Sequence, residues 1–172
     1  MAPQHPRSPT RPSETGGHVT GHAELIAFYE LTQAKAKYCR TLDTRDWNGL
    51  AALMTADVEF GMSDGQSDPQ MTVGRDETLA LLQSLVAGSK TAHQVHTPEI
   101  DLDADEAQVI WAVQDRAVFD NGTSVTGYGH YTERWVRRAD GWALASLLLS
   151  HLITDVQQAE TESQASHEGG GG

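Results

Sequence analysis

The chain has 172 residues with 38 % hydrophobic content, the material for one packed core and not two. Twelve Lys and Arg stand against twenty-four Asp and Glu, and the formal charge of -12 has the wrong sign for neutralising phosphates, which argues against nucleic acid and anionic membrane surfaces as partners. The single cysteine, Cys39, sets neither a disulfide framework nor a cysteine zinc cage.

The opening stretch MAPQHPRSPTRPSETGG lacks the continuous apolar core of a secretory signal, and the longest greasy run, Leu144 to Ile153, is too short to span a bilayer. The expectation is a cytoplasmic protein with no membrane partner. Asn121-Gly122-Thr123 matches a glycosylation acceptor but reads as a turn in that setting.

Composition changes abruptly at both ends, so residues 1–21 and 157–172 are expected to be disordered tails around one domain at 22–156. From His22 to Asp43 the apolar and small residues Leu25, Tyr29, Thr32, Ala36 and Cys39, with Phe28, Leu31, Tyr38 and Leu42 beside them, give a helical period. Asp46 to Met54 reads as a short helix with Asp46 near its N-cap. Asp57 to Met62 reads as a strand, and Ser63 to Thr72 as a loop. Gly74-Arg75-Asp76-Glu77 opens a third helix with Leu79, Leu82, Leu85 and Val86 on its apolar face, stopped by Gly88.

Beyond this point, runs rich in Val, Ile, Trp and Tyr alternate with the turn-forming segments DADE, DNGT and ADG. Four antiparallel strands are expected, near Ala92–Leu102, Ala107–Phe119, Ser124–Arg138 and Trp142–Val156. Three helices followed by a meander give an α+β class, with a cone-shaped, curved, mixed or antiparallel sheet wrapped around the helices to leave a cavity.

Of the histidines, His93, His96, His130 and His151 fall on these strands, while His5, His18, His22 and His167 lie in tails or at the domain edge. His93 and His96 are three apart, so only one of them faces a cavity in a regular strand. For any single histidine, a hydrogen-bonded structural role is the commoner outcome. Tyr38 and Asp43 are five apart on the first helix, an advance of roughly 140°, so they do not share a stripe and converge only at a pocket that wraps the helix tip. Asp43 also has a plainer option, as a turn cap or a partner of Arg40 or Arg45. A two-histidine, one-carboxylate metal site at His93, His96 and Asp43 is disfavoured because strand alternation separates the two imidazoles. Neither a glycine-rich phosphate loop nor a Gly-x-Ser-x-Gly elbow is present.

Along the third of the four strands, Tyr128, His130, Thr132 and Arg134 alternate with Gly129, Tyr131, Glu133 and Trp135, so each face carries polar groups among bulky ones. In the strand before it, Trp111, Val113, Asp115, Ala117 and Phe119 share one face, leaving Asp115 either paired or poised for function.

Together, Tyr38-Cys39-Arg40-Thr41-Leu42-Asp43 with Trp47, Gly74-Arg75, His93-Gln94-Val95-His96-Thr97-Pro98-Glu99-Ile100, and Gly129-His130-Tyr131 with Asp140-Gly141-Trp142 resemble the SnoaL-like branch of the nuclear transport factor 2 superfamily. The resemblance covers residues 22–156 and is greatest, motif for motif, to bile-acid dehydratases and scytalone dehydratase. It implies Tyr38, Asp43 and His93 as catalytic residues, His96 in support, and a cofactor-free site without metal. His96, Asp115, Trp111, Tyr128, His130 and Tyr131 are the expected substrate contacts.

These residue types suit elimination of water from a hydrophobic β-hydroxy carbonyl compound. His93 serves as base, Asp43 holds its tautomer, and Tyr38 donates to an oxygen. The fold also hosts polyketide cyclases, isomerases, epoxide hydrolases and non-catalytic ligand-binding or assembly modules, so these stand as alternatives. The resemblance further implies a homodimer through the exposed sheet face.

Overall fold

The structure, a computed structural model, describes residues 21–63 and 68–159. The expected tails lie almost entirely outside the described residues, together with the centre of the expected 63–72 loop. Three helices, α1 (His22–Asp43), α2 (Trp47–Ala52) and α3 (Arg75–Leu85), combine with seven strands. The strands are β1 (Met54–Ser63), β2 (Met71–Val73), β3 (Ser89–Val95), β4 (Glu99–Asp103), β5 (Glu106–Phe119), β6 (Ser124–Arg138) and β7 (Gly141–Gln157).

Helix α1 buries Ala27, Leu31, Lys35, Tyr38 and Leu42, a spacing of three and four that places one stripe on the sheet. Its first turn is closed by Glu24, whose carboxylate accepts from the Gly21 amide at 2.8 Å. Asp46 caps α2 as expected, accepting from the Gly49 amide at 2.9 Å. That helix stops at Ala52, short of the expected Met54, because Met54 already pairs with Leu144 of β7.

The sheet runs β2-β1-β7-β6-β5-β3, and β4 also pairs with β5. β1 lies parallel to β7, while the other pairs are antiparallel. The single strand expected over Ala92–Leu102 is two, β3 and β4, lying end to end along one edge of β5. The break falls at Thr97-Pro98, where proline has no N–H to give the ladder. The loop expected over Ser63–Thr72 contributes the three-residue edge strand β2, which pairs Thr72 with Phe60. At the DNGT turn the Asn121 side chain accepts from the Thr123 amide at 2.9 Å, local turn chemistry of the kind read from the sequence.

One buried ion pair joins helix to sheet. Lys35 of α1 and Glu133 of β6 have no side-chain exposure, and the Lys35 ammonium donates to Glu133 Oε1. Glu133 Oε2 accepts from the indole N–H of Trp111 and of Trp135, each at 2.8 Å. The ammonium also sits 3.5 Å from the centre of the Tyr131 ring and 4.4 Å from that of Tyr38. Every charge in the cluster has a partner, the condition under which a buried ion pair is tolerated.

Breaking half of it is predicted to be costly. In urea unfolding, Lys35→Met should lose about 3–5 kcal/mol, because Glu133 stays buried without a counter-charge. Adding Glu133→Gln should recover a large part of that loss. A single-variant loss under about 1 kcal/mol would show that water reaches the carboxylate.

Candidate active site

The last residue of α1 points at the edge of the sheet. Asp43 Oδ1 lies 2.6 Å from His93 Nδ1 on β3 and accepts the Thr91 hydroxyl at 2.9 Å. Its Oδ2 accepts the His93 amide at 2.9 Å. Burial alone would push the Asp43 carboxyl up, but the hydrogen bonds from the His93 ring, the His93 amide and the Thr91 hydroxyl outweigh it and hold Asp43 below its ordinary value. A charged carboxylate on Nδ1 fixes the proton there and leaves Nε2 for a ligand.

This alignment is held from below by Arg45, one residue beyond the helix cap. Its backbone takes the left-handed region at φ 60°, which an L side chain seldom adopts. The compensation is a set of four hydrogen bonds from its guanidinium: to Leu42 O at 2.7 Å, Thr91 Oγ1 at 2.9 Å, Ser89 O at 2.9 Å and Val86 O at 3.3 Å. Arg45 thus ties the end of α1 to the start of β3 and the exit of α3, the three segments whose spacing sets the Asp43–His93 contact.

His93 lines a cavity of about 210 Å³ between α1, α3 and the sheet. Tyr38, Tyr131, Asp115 and His151 supply most of its polar wall, while Leu42, Leu82, Phe119 and Leu149 are among its apolar walls. The Tyr38 and Tyr131 rings meet edge to face at 6.5 Å between centres. Burial, with Glu133 and Cys39 adding to it, raises the Tyr38 hydroxyl well above its ordinary value, and burial followed by Tyr38, Cys39, Asp115 and Glu133 does the same for Tyr131. Both phenols therefore stay protonated, each with its O–H proton in place.

Asp115 has a partner that the sequence did not indicate. His151 of β7 reaches over β6, and its Nε2 lies 2.7 Å from Asp115 Oδ2. The strand between them carries Gly127 at the crossing, where a Cβ would overlap His151 Nε2 and sit 2.8 Å from Asp115 Oδ1. A register shift between Tyr128 and Gly129, which leaves Leu152 unpaired in β7, sits beside this crossing. His151 also lines an outer cleft of about 650 Å³, which shares Phe60, Met62 and Leu85 with the cavity.

The remaining expected contacts lie elsewhere. His96 follows the end of β3 and is exposed, as alternation requires once His93 faces inward. Tyr128 and His130 are exposed on the outer face of β6, because the inward set is Tyr131, Glu133 and Trp135. Trp111 shares a face with Asp115 but lies four residues earlier in β5, buried with its indole on Glu133 and not at the cavity wall. The sequence places His151 on a strand without assigning it a role, and it leaves Lys35 unremarked, whose signal is a charge on the buried stripe of α1 between Leu31 and Tyr38. Among the described residues no group of three or more His, Cys, Asp or Glu is placed to hold a metal ion, and no helix is long and apolar enough to cross a membrane.

Comparison with known proteins agrees with this architecture. A family model described as a SnoaL-like domain matches residues 23–147. A protein of Gibberella zeae named probable cyclase FGR4 is 27 % identical over 133 residues, covering 71 % of this chain and 89 % of its own. Among solved structures, a candidate scytalone dehydratase from Novosphingobium aromaticivorans superposes with a TM-score of 0.67 at 22 % identity, over 82 % of this chain and 96 % of that one. A hexachlorocyclohexane dehydrochlorinase from Novosphingobium barchaimii gives 0.66 at 18 % identity, over 77 % and 91 %. The family match over residues 23–147, on a three-helix fold with an open curved sheet, makes this chain a member of the SnoaL-like family.

Proposed function

We propose that this protein is a small-molecule enzyme of acid–base elimination chemistry, a dehydratase-type lyase acting on a hydrophobic hydroxylated carbonyl compound. The observation that carries the reading is the 2.6 Å contact between Asp43 and His93 at the wall of a largely apolar cavity. Relatives and fold neighbours named as a cyclase, a scytalone dehydratase and a dehydrochlorinase support catalysis in general, and two of the three names describe eliminations.

Loss of water from a β-hydroxy ketone begins with removal of the proton next to the carbonyl. His93 Nε2 is the base, and Asp43, a positioning residue, holds the ring and stabilises the imidazolium that forms. Negative charge then builds on the carbonyl oxygen, where the protonated Tyr38 hydroxyl donates, with Tyr131 beside it in the same wall. The apolar lining limits competing water and strengthens these hydrogen bonds. A cyclase reading, favoured by the name of the Gibberella zeae relative, uses the same base and differs in the fate of the enolate, which attacks a second carbon in place of expelling oxygen.

A β-hydroxytetralone is a suitable probe, since its dehydration yields a fluorescent naphthol. On it, His93→Gln should lower kcat/KM by roughly 10²–10⁴-fold and Asp43→Asn by at least about 100-fold, with little change in KM. Wild-type turnover in both variants would end this reading.

The pairing also predicts a proton-linked stability. Because Asp43 is held below its ordinary value, its contribution is fully present above the unfolded carboxylate value of about 3.9 and is lost as pH falls through the lower folded value. In acid titrations followed by circular dichroism, Asp43→Asn should lack the part of the wild-type stability loss that falls below about pH 4. Parallel curves for the two proteins would remove Asp43 as a linked group.

A further inference from the structure

The cavity holds a second carboxylate–imidazole pair that the chemistry above does not use. Asp115 and His151 come from β5 and β7, strands that do not pair with each other, and their 2.7 Å contact passes over β6 where Gly127 leaves room for it. A side chain at position 127 would occupy the space the two groups share. Both residues are largely buried, with side-chain exposures of 19 % for His151 and 15 % for Asp115. A polar pair set into an apolar wall carries a desolvation cost, so it is a candidate for function wherever it meets a ligand space. Here it meets two, because His151 borders the inner cavity and the outer cleft while Asp115 borders the cavity.

On the basis of the elimination reading, we propose that the Asp115–His151 pair is the general acid of the reaction, a proton donor separate from the His93 base and recharged through the outer cleft. His93 Nε2 takes the proton from the carbon beside the carbonyl, and the electrons of that C–H bond become the new C=C bond by way of the enolate. The C–O bond to the leaving hydroxyl breaks with its electron pair on oxygen, which takes a proton from the Asp115–His151 pair and departs as water. One turnover leaves His93 with an extra proton and the second pair one proton short. Release of the first to solvent and uptake of the second through the outer cleft restore both, so no other reactant is needed.

Two reactions separate this proposal from the reading on which it rests. Deuterium exchange at the carbon beside the carbonyl of unsubstituted tetralone, followed by NMR, requires the base and has no leaving group. Dehydration of the β-hydroxytetralone requires both base and acid. In His151→Gln and in Asp115→Asn, the ratio of dehydration to exchange should fall by roughly 100-fold, the usual contribution of a positioned acid. In His93→Gln both reactions should fall together. Two substitutions on different strands, each checked by thermal melting, keep the test meaningful if one variant fails to fold.

A ratio unchanged in both folded variants, with wild-type exchange intact, would overturn the second pair as the acid and leave His93 as the base. Absence of exchange in the wild-type protein would overturn the base assignment and the proposal with it.

Discussion

The position of α1 on the sheet is set by one charge. An ammonium in the core cannot be left without a counter-ion, so Lys35 must meet Glu133, and the helix is fixed in rotation and in translation to within a hydrogen bond. Trp111 and Trp135 hold the carboxylate from the other side, which ties the same point to β5 and β6. With Lys35 fixed, Tyr38 is roughly 60° away around the helix and Asp43 roughly 80° away in the opposite sense. The first faces the sheet floor and Tyr131, the second faces the edge strand β3. These two residues share no stripe, and they need none. His93 stands between them, taking the carboxylate on one nitrogen and belonging to the cavity that Tyr38 also lines.

What could be read from the sequence follows from what periodicity records. α1 and the long strands repeat over enough residues for a period of 3.6 or 2 to stand out, and their observed limits lie close to the expected ones. β2 has three residues, too few to alternate visibly. β3 and β4 read as one strand because they follow one another along the same edge of β5, and Pro98 is the only local mark of the break. Alternation also states which residues share a face without stating which face is inside. On β6, both sets contained aromatic and polar residues, and the inward choice of Tyr131, Glu133 and Trp135 is made by Lys35, a residue far away in sequence. Trp111 illustrates a second gap: it shares a face with Asp115, but depth along the strand decides that one is covered by core and the other by cavity.

The contact between Asp115 and His151 was illegible for a different reason. It depends on three strands at once: a carboxylate on the first, a glycine on the second and an imidazole on the third, with a shift of register beside the crossing. Gly127 and Gly129 sit in a strand that propensity alone would fill with bulky residues, and each marks a close approach of other atoms. At Gly129 the neighbour is the Ser150 backbone, and at Gly127 it is the acid–imidazole pair. A Gly-x-Gly within a strand is therefore a structural statement here, one about what crosses over it.

The electrostatics of the cavity narrow the kind of ligand it suits. Both carboxylates are engaged by imidazoles, and both tyrosines are kept neutral by burial. Lys35, the nearest buried cation, has its charge committed to Glu133, and among the described residues lining the cavity Arg116 is the one arginine or lysine, on a residue that is itself exposed. A phosphate or carboxylate entering this space would lose its hydration, meet no buried cation and face the carboxylate of Asp115. A neutral carbonyl compound meets phenol donors and an imidazole acceptor, which match its oxygen and the acidic hydrogen beside it. An overall charge of -12 acts in the same direction at long range, repelling anions before they reach the cleft. On the proposed reading, exclusion of anions and acceptance of a neutral, apolar carbonyl are thus two results of one arrangement, in which each buried charge already has its partner within the protein.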